Sequence, residues 1–256
     1  MKLLILTRHK LILIACCAVM AAVTAVVGIG SYGRAVETVN TDREIPIYYV
    51  DTEEKVVSLS FDAAWGDEQT QTLLDILDKY KVKSTFFLVG EWVEKYPDDV
   101  KLISDRGHDV GNHSDTHAHL TQLDGSSIAQ ELTECNKRIE EITGQCPTLF
   151  RPPYGDYNNE VVNQTKAQNM YCVQWNIDSL DWKNPTPQDM VSRIKSKLCP
   201  GSIILLHNGA ENTPEALPMI IEMIIDEGYK IVPVSEILLD GEYDTDVEGK
   251  MISSEQ

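Results

Sequence analysis

VVSLSFDAAWGDEQTQTLLDILDKYKVKSTFFLV, residues 56–89, reads as a strand, a helix and a second strand. Val56–Phe61 is rich in β-branched and apolar residues. Asp67–Tyr80 places Leu73, Leu74, Ile76 and Leu77 at helical spacing, and Ser84–Val89 returns to an apolar β-forming run. The same rhythm continues. A helix over Trp92–Arg106 ends at Gly107, and His108–Gly111 is a short strand. Ser126–Thr143 is helical, with Ser126 and Ser127 as N-caps and Gly144 as the stop. Strands follow at Thr148–Arg151, Tyr171–Ile177, Ser202–His207 and Lys230–Val234. Helices at Asn158–Gln168, Pro187–Leu198 and Pro214–Glu227 separate them. Such alternation predicts an α/β fold of parallel strands with helical crossovers, either a β/α barrel or an open doubly wound sheet.

The chain's 256 residues suffice for one large α/β domain or two small ones. Its formal charge is −18. The segment before Glu37 holds Lys2, Arg8, Lys10 and Arg34 and no acid, which leaves 18 of the 22 basic residues to balance all 40 acidic ones. That surface excludes a nucleic-acid partner, whose phosphates it would repel. Ahead of the domain, Leu11–Ile29 has no charged residue and follows a basic flank. Its length matches ~30 Å of hydrocarbon, so residues 1–29 read as a transmembrane or signal-anchor helix. The basic flank then stays in the cytoplasm and the domain lies outside, anchored to the membrane. Residues 30–45 read as a linker, 46–239 as the domain, and 240–256 as an acidic, aperiodic, disordered tail. Four cysteines (Cys135, Cys146, Cys172 and Cys199) lie in the domain; Cys135–Cys146 is one pairing open to them, and buried free thiols are the other reading.

Gly111-Asn112-His113-Ser114-Asp115-Thr116-His117-Ala118-His119 concentrates the chemistry. His113 and His117, four apart, share a face if the segment is helical, a common start to a divalent metal site. Sites in parallel α/β folds form at the carboxyl ends of the strands. Asp62, His113, Arg151, Asp178, Asp181 and His207 all fall at or just after predicted strand ends, so residues far apart in sequence converge on one mouth.

Five stretches in this order resemble the polysaccharide deacetylases of the NodB-homology type, carbohydrate esterase family 4, over about residues 50–239. They are Ser60-Phe61-Asp62, His113-Ser114-Asp115-Thr116-His117, Arg151-Pro152-Pro153-Tyr154-Gly155, Asp178-Ser179-Leu180-Asp181-Trp182 and Leu205-Leu206-His207. The Phe61–Gly66 form is similar to a branch often linked to sporulation. The resemblance implies a distorted (β/α) barrel and a metal-dependent hydrolase that removes N-acetyl groups from a cell-wall glycan. It implies a divalent metal, Zn or Co, held by His113 and His117. It assigns Asp62 as catalytic base, Arg151 as its ion-pair partner, His207 as general acid and Asp181 as the group that orients it. Tyr154 would stabilise the oxyanion through its backbone N–H, and Trp182 and Leu205 would wall the acetyl pocket. Asp178 fits a turn-forming role, and His108 and His119 have no matching position. The family's usual pattern has a second aspartate after the base, as metal ligand; here it is Ala63. Water completes the shell, Asp67 reaches in, or the metal binds weakly. With the last comes the alternative of a weakly active or inactive wall-glycan-binding module; an N- or O-acetylated substrate of another kind is a further alternative.

Overall fold

The computed structural model describes residues 43–254. The expected membrane helix and most of the expected linker lie outside the described residues. Among the described residues, no helix is long and apolar enough to cross a membrane.

The strand at the centre is β2 (Val56–Ala63), which follows a short β1 (Tyr49–Val50). Both faces of β2 are enclosed, but its pleat still sorts them. Val57, Leu59, Phe61 and Ala63 join the main apolar core under the helices. Ser60 and Asp62 turn the other way, to Arg151. Around β2 run β3 (Thr85–Leu88), β4 (Asp109–Asn112), β5 (Leu149–Phe150) and β6 (Tyr171–Cys172) on one side. On the other lie β8 (Ile203–His207) and β7 (Ile177–Asp178). A short β9 (Lys230–Ile231) pairs with the start of β2. All these pairings are parallel. β6 and β7 are opposite ends of the strand order, so the barrel is incomplete.

The crossover helices are α1 (Thr70–Tyr80), α2 (Gly90–Lys95), α3 (Pro97–Asp105), α4 (Gly125–Thr143), α5 (Asn159–Ala167), α6 (Pro187–Lys195) and α7 (Thr213–Asp226). The single helix expected over Trp92–Arg106 is two helices, because Pro97 has no N–H to donate and opens a new one. The cap of α4 is Asp124, whose carboxylate accepts from Ser127 N–H at 2.8 Å, rather than Ser126 or Ser127. Gly144 ends α4 at φ 72°, as its position predicts. The strand expected over Tyr171–Ile177 divides into β6 and β7.

The tail is corrected. After a short α8 (Val234–Ile237), Tyr243–Thr245 (β10) and Lys250–Ser253 (β11) form an antiparallel pair, and β11 adds parallel to β1. Met251 supplies a fully buried side chain to this sheet. Polar flanks mask the alternation of so short a strand. The linker is also shorter than expected, since Glu44 N–H donates to Asn159 Oδ1 at 3.1 Å. The four cysteines of the domain are free, so Cys135 and Cys146 are not paired. Cys135 is buried on α4, its thiol on the Leu88 carbonyl at 3.3 Å.

Candidate active site

Parallel strands bring the expected residues to one end. Asp62 on β2 is in register with His207 on β8, and Arg151 directly follows β5. A cavity of about 350 Å³ opens there, lined by Asp62, His113, His117, Tyr154, Trp182, Leu205 and His207, together with Ala64, Trp65, Trp175 and Asp178.

Arg151 and Asp62 form a buried ion pair. Arg151 Nη1 donates to Asp62 Oδ1 at 2.7 Å, while Nη2 donates to Ser60 Oγ and the Gln174 carbonyl. The guanidinium carbon lies 4.1 Å from the Phe87 ring centre. Burial alone would raise the Asp62 pKa; the Arg151 guanidinium, by its charge and its hydrogen bond, outweighs it and holds the carboxyl below its ordinary value.

His207 and Asp181 form the second pair. Asp181 is fully buried. Its Oδ1 binds His207 Nδ1 at 2.7 Å, and its Oδ2 accepts from the His207 N–H at 2.6 Å and Thr213 Oγ1 at 2.8 Å. Burial would lower the His207 pKa, but the hydrogen bond and charge of Asp181 outweigh it and raise it. The two pairs therefore give the cavity an ionised carboxylate and an imidazole biased toward its protonated form.

The His113–His117 segment is not helical, which corrects the expectation of a shared helix face. Ser114 and His117 adopt left-handed φ of 66° and 58°. Side chains hold this turn. Asn112 Oδ1 accepts from Ser114 N–H (2.8 Å) and Ser114 Oγ from His117 N–H (3.0 Å). Glu131 on α4 takes Asp115 N–H, Thr116 N–H and Thr116 Oγ1. The two rings still meet, with centroids 5.1 Å apart. His113 Nδ1 contacts the Arg151 carbonyl at 2.7 Å, which can only accept, so Nδ1 carries the proton and Nε2 keeps its lone pair. Burial lowers the His113 pKa and, ahead of repulsion from His113, brings His117 down to about 4. Both imidazoles are therefore neutral at pH 7, as metal ligands must be.

This donor set fits a divalent ion held by two imidazoles and not one held by three protein ligands. Among the described residues, no group of three or more His, Cys, Asp or Glu side chains is placed to hold a metal. Ala63 offers no donor, and it belongs to the apolar core on the face of β2 opposite Asp62. Asp67 does not reach in. It does not line the cavity, and its backbone carbonyl accepts Thr70 N–H at the start of α1.

Tyr154 lies at φ 61° in the turn after Arg151. His119 stacks on its ring at 4.2 Å. Asp178 also lines the cavity while its carboxylate caps a turn, accepting Leu180 N–H at 2.7 Å. His108 is remote and structural, with Nδ1 accepting Ser84 N–H at 3.1 Å. Sequence reasoning missed Trp65 and Trp175 as cavity residues. Trp65 stands three positions beyond Asp62, in the turn after β2, where it has a signal. Trp175 lies in the break between β6 and β7 and has none.

Residues 49–173 match the polysaccharide deacetylase family model. The chain is 32% identical to the peptidoglycan-N-acetylmuramic acid deacetylase PdaA of Bacillus subtilis, covering 76% of each. It is 36% identical to the deacetylase PdaC of the same organism, over 73% of this chain and 40% of PdaC. Among solved structures it resembles a CE4-family pseudoenzyme from Bacillus anthracis, with a TM-score of 0.73 and 35% identity over 81% of this chain and 70% of that one. A mutant of that pseudoenzyme has restored enzymatic activity. The chain belongs to the polysaccharide deacetylase family. It spans between 40% and 66% of the length of three of the curated relatives it matches.

Proposed function

We propose that this cleft removes the acetyl group from an N-acetylated wall glycan, with GlcNAc or MurNAc residues of peptidoglycan as the substrate class. The observation that carries it is the presence of an ionised Asp62 and a proton-holding His207 at neighbouring strand ends of one cavity. Hydrolysis of an amide requires both states at once. Asp62 takes a proton from the attacking water as its oxygen bonds to the carbonyl carbon. The resulting oxyanion is assigned to the backbone N–H of Tyr154. The C–N bond breaks as His207 gives its proton to the amine, and acetate leaves. Asp181 holds His207 in the tautomer that aims Nε2 at the substrate. Leu205 and Trp182 enclose the methyl group. A divalent ion, Zn or Co, held by His113 and His117 would polarise the carbonyl and acidify the water.

Ala63 supports a second reading, a wall-glycan-binding protein with little or no turnover, and the similarity to a pseudoenzyme points the same way. The apolar run Leu11–Ile29 behind Lys2, Arg8 and Lys10 supports a membrane-anchored domain facing the wall. The Phe61–Gly66 form supports a sporulation role.

The test is acetate release from peptidoglycan fragments and chitin oligomers by the full chain loaded with Zn²⁺ or Co²⁺. Asp62→Asn and His207→Ala are each expected to lose about 10² or more in rate. No release with either metal, or release indifferent to both substitutions, overturns the hydrolytic reading.

A further inference from the structure

Five large hydrophobic side chains are exposed among the described residues, and three of them, Trp65 (46%), Trp182 (51%) and Tyr154 (58%), line the one cavity at the strand ends. Exposed aromatics gathered at a cleft mouth mark a ligand surface rather than ordinary surface scatter. They are not equivalent. The Lys183 ammonium lies 4.5 Å from the Trp182 ring centre, and His119 stacks flat on Tyr154. Trp65 has a different neighbour. Its ring lies 5.3 Å from the His207 imidazole, tilted by 31°.

The chain holds Trp65 there by several independent means. Gly66 follows at φ +62°, a turn that a side chain would strain. The Gly66 carbonyl accepts Trp92 Nε1–H at 2.7 Å and Asn208 Nδ2–H at 3.4 Å. Asn208, next to His207, is itself fixed by Thr70. At Gly209 a Cβ would lie 2.6 Å from the Trp65 indole nitrogen and from its carbonyl oxygen, so the backbone after His207 is cleared for this residue. The turn after β2 and the turn after β8 are thus built around one half-exposed indole.

We infer that Trp65 is a glycan-positioning residue: its indole stacks on the apolar C–H face of the pyranose ring whose amide nitrogen is delivered to His207. A pyranose presents one flat, C–H-rich face, which an aromatic ring recognises without hydrogen bonds. No ligand at Ala63 is needed for this contact, so binding of the sugar does not depend on a metal. The inference rests on the proposed glycan substrate but not on turnover.

The experiment is calorimetric titration of the full chain in detergent with chitotetraose, in chelator and in zinc. It is run on wild type, Trp65→Ala, Trp65→Phe and Gly209→Ala. Wild type is expected to bind in both conditions. Trp65→Ala should weaken binding about tenfold or more, Trp65→Phe should restore part of it, and Gly209→Ala should weaken it by displacing an intact indole. In acetate release, KM should rise more than kcat falls. Equal affinity for wild type and Trp65→Ala overturns the inference, as does a wild type that fails to bind. Loss of binding in Trp65→Ala by a chain that releases no acetate upholds this inference while the hydrolytic reading falls.

Discussion

Replacing Arg151 with Met tests whether the Asp62 carboxylate is held in place by a charge or merely by space. The methionine stem fits among Phe87 and the neighbouring interior groups but leaves Asp62, 5% exposed, without its partner. Breaking one side of a buried pair typically costs about 3–5 kcal/mol, because the surviving charge stays desolvated. In an Asp62→Asn background the same substitution instead removes a guanidinium left buried without its counter-charge, and relief of that desolvation offsets the loss of the hydrogen bonds to Ser60 and Gln174, so the net cost is expected near zero. The coupling between the two positions is therefore about 3–5 kcal/mol. The pH dependence has a definite sign. In the wild type the Asp62 pKa is lowered, so its contribution is present above the unfolded carboxyl pKa and lost as pH falls through the folded value. In Arg151→Met, burial acts unopposed by the guanidinium and favours the protonated acid, so the gap between variant and wild type narrows from pH 7 toward pH 4. Urea unfolding followed by tryptophan fluorescence at both pH values measures each quantity. A loss below about 1 kcal/mol with Asp62 present, or the same loss in both backgrounds, would refute the buried-charge account.

Asp181→Asn removes the interaction that keeps His207 protonated, so burial should bring its pKa below the ordinary value. The alkaline limb of the acetate-release profile, where activity falls as His207 loses its proton, then moves to lower pH by about one unit or more; an unmoved limb rules Asp181 out as the source of that proton's affinity. Ala63→Asp restores a carboxylate at the position where the family pattern has its second aspartate, but on the enclosed apolar face of β2. The metal-free variant is expected to lose about 2 kcal/mol or more, and zinc should recover it, with affinity about tenfold above wild type. Unchanged zinc affinity would show that the carboxylate does not reach His113 and His117.

The order of elements was legible because each long segment carries one period, such as the Leu73, Leu74 and Leu77 stripe of α1. Strand-end placement then brings Asp62 and His207 to one cavity, with Arg151 and Asp181 buried directly behind them. Failures have local causes. The HxxxH spacing suggests a helix, but Ser114 and His117 take left-handed φ, held by Asn112, Ser114 and Glu131. No periodicity reports such a turn, since its bonds come from side chains elsewhere. β10 and β11 were hidden for another reason: strands of three and four residues with acidic flanks show too little alternation to separate from a disordered tail. Trp65 was visible as a residue but not as part of the site, because its role depends on Gly209, 144 positions away.

Position 63 and position 62 lie on opposite faces of the same strand, and this shapes what their identities mean. Asp62 and Arg151 are a matched pair with side chains 6% and 0% exposed, and Asp181 is sealed beneath His207. Loss of either partner alone strands a buried charge, so folding stability resists single changes there whether or not the protein turns over substrate. An alanine at 63, by contrast, suits the apolar layer formed with Phe61 and exposes no orphan group. A chain of this family can therefore lose its third metal donor at no cost to the fold while the Asp–Arg pair persists. The residues that speak most directly to ligand handling are those the fold does not require: Trp65, Tyr154 and Trp182, half-exposed, apolar-faced, and nonetheless drawn to one mouth. They are what the proposed reading of a sugar-engaging cleft rests on.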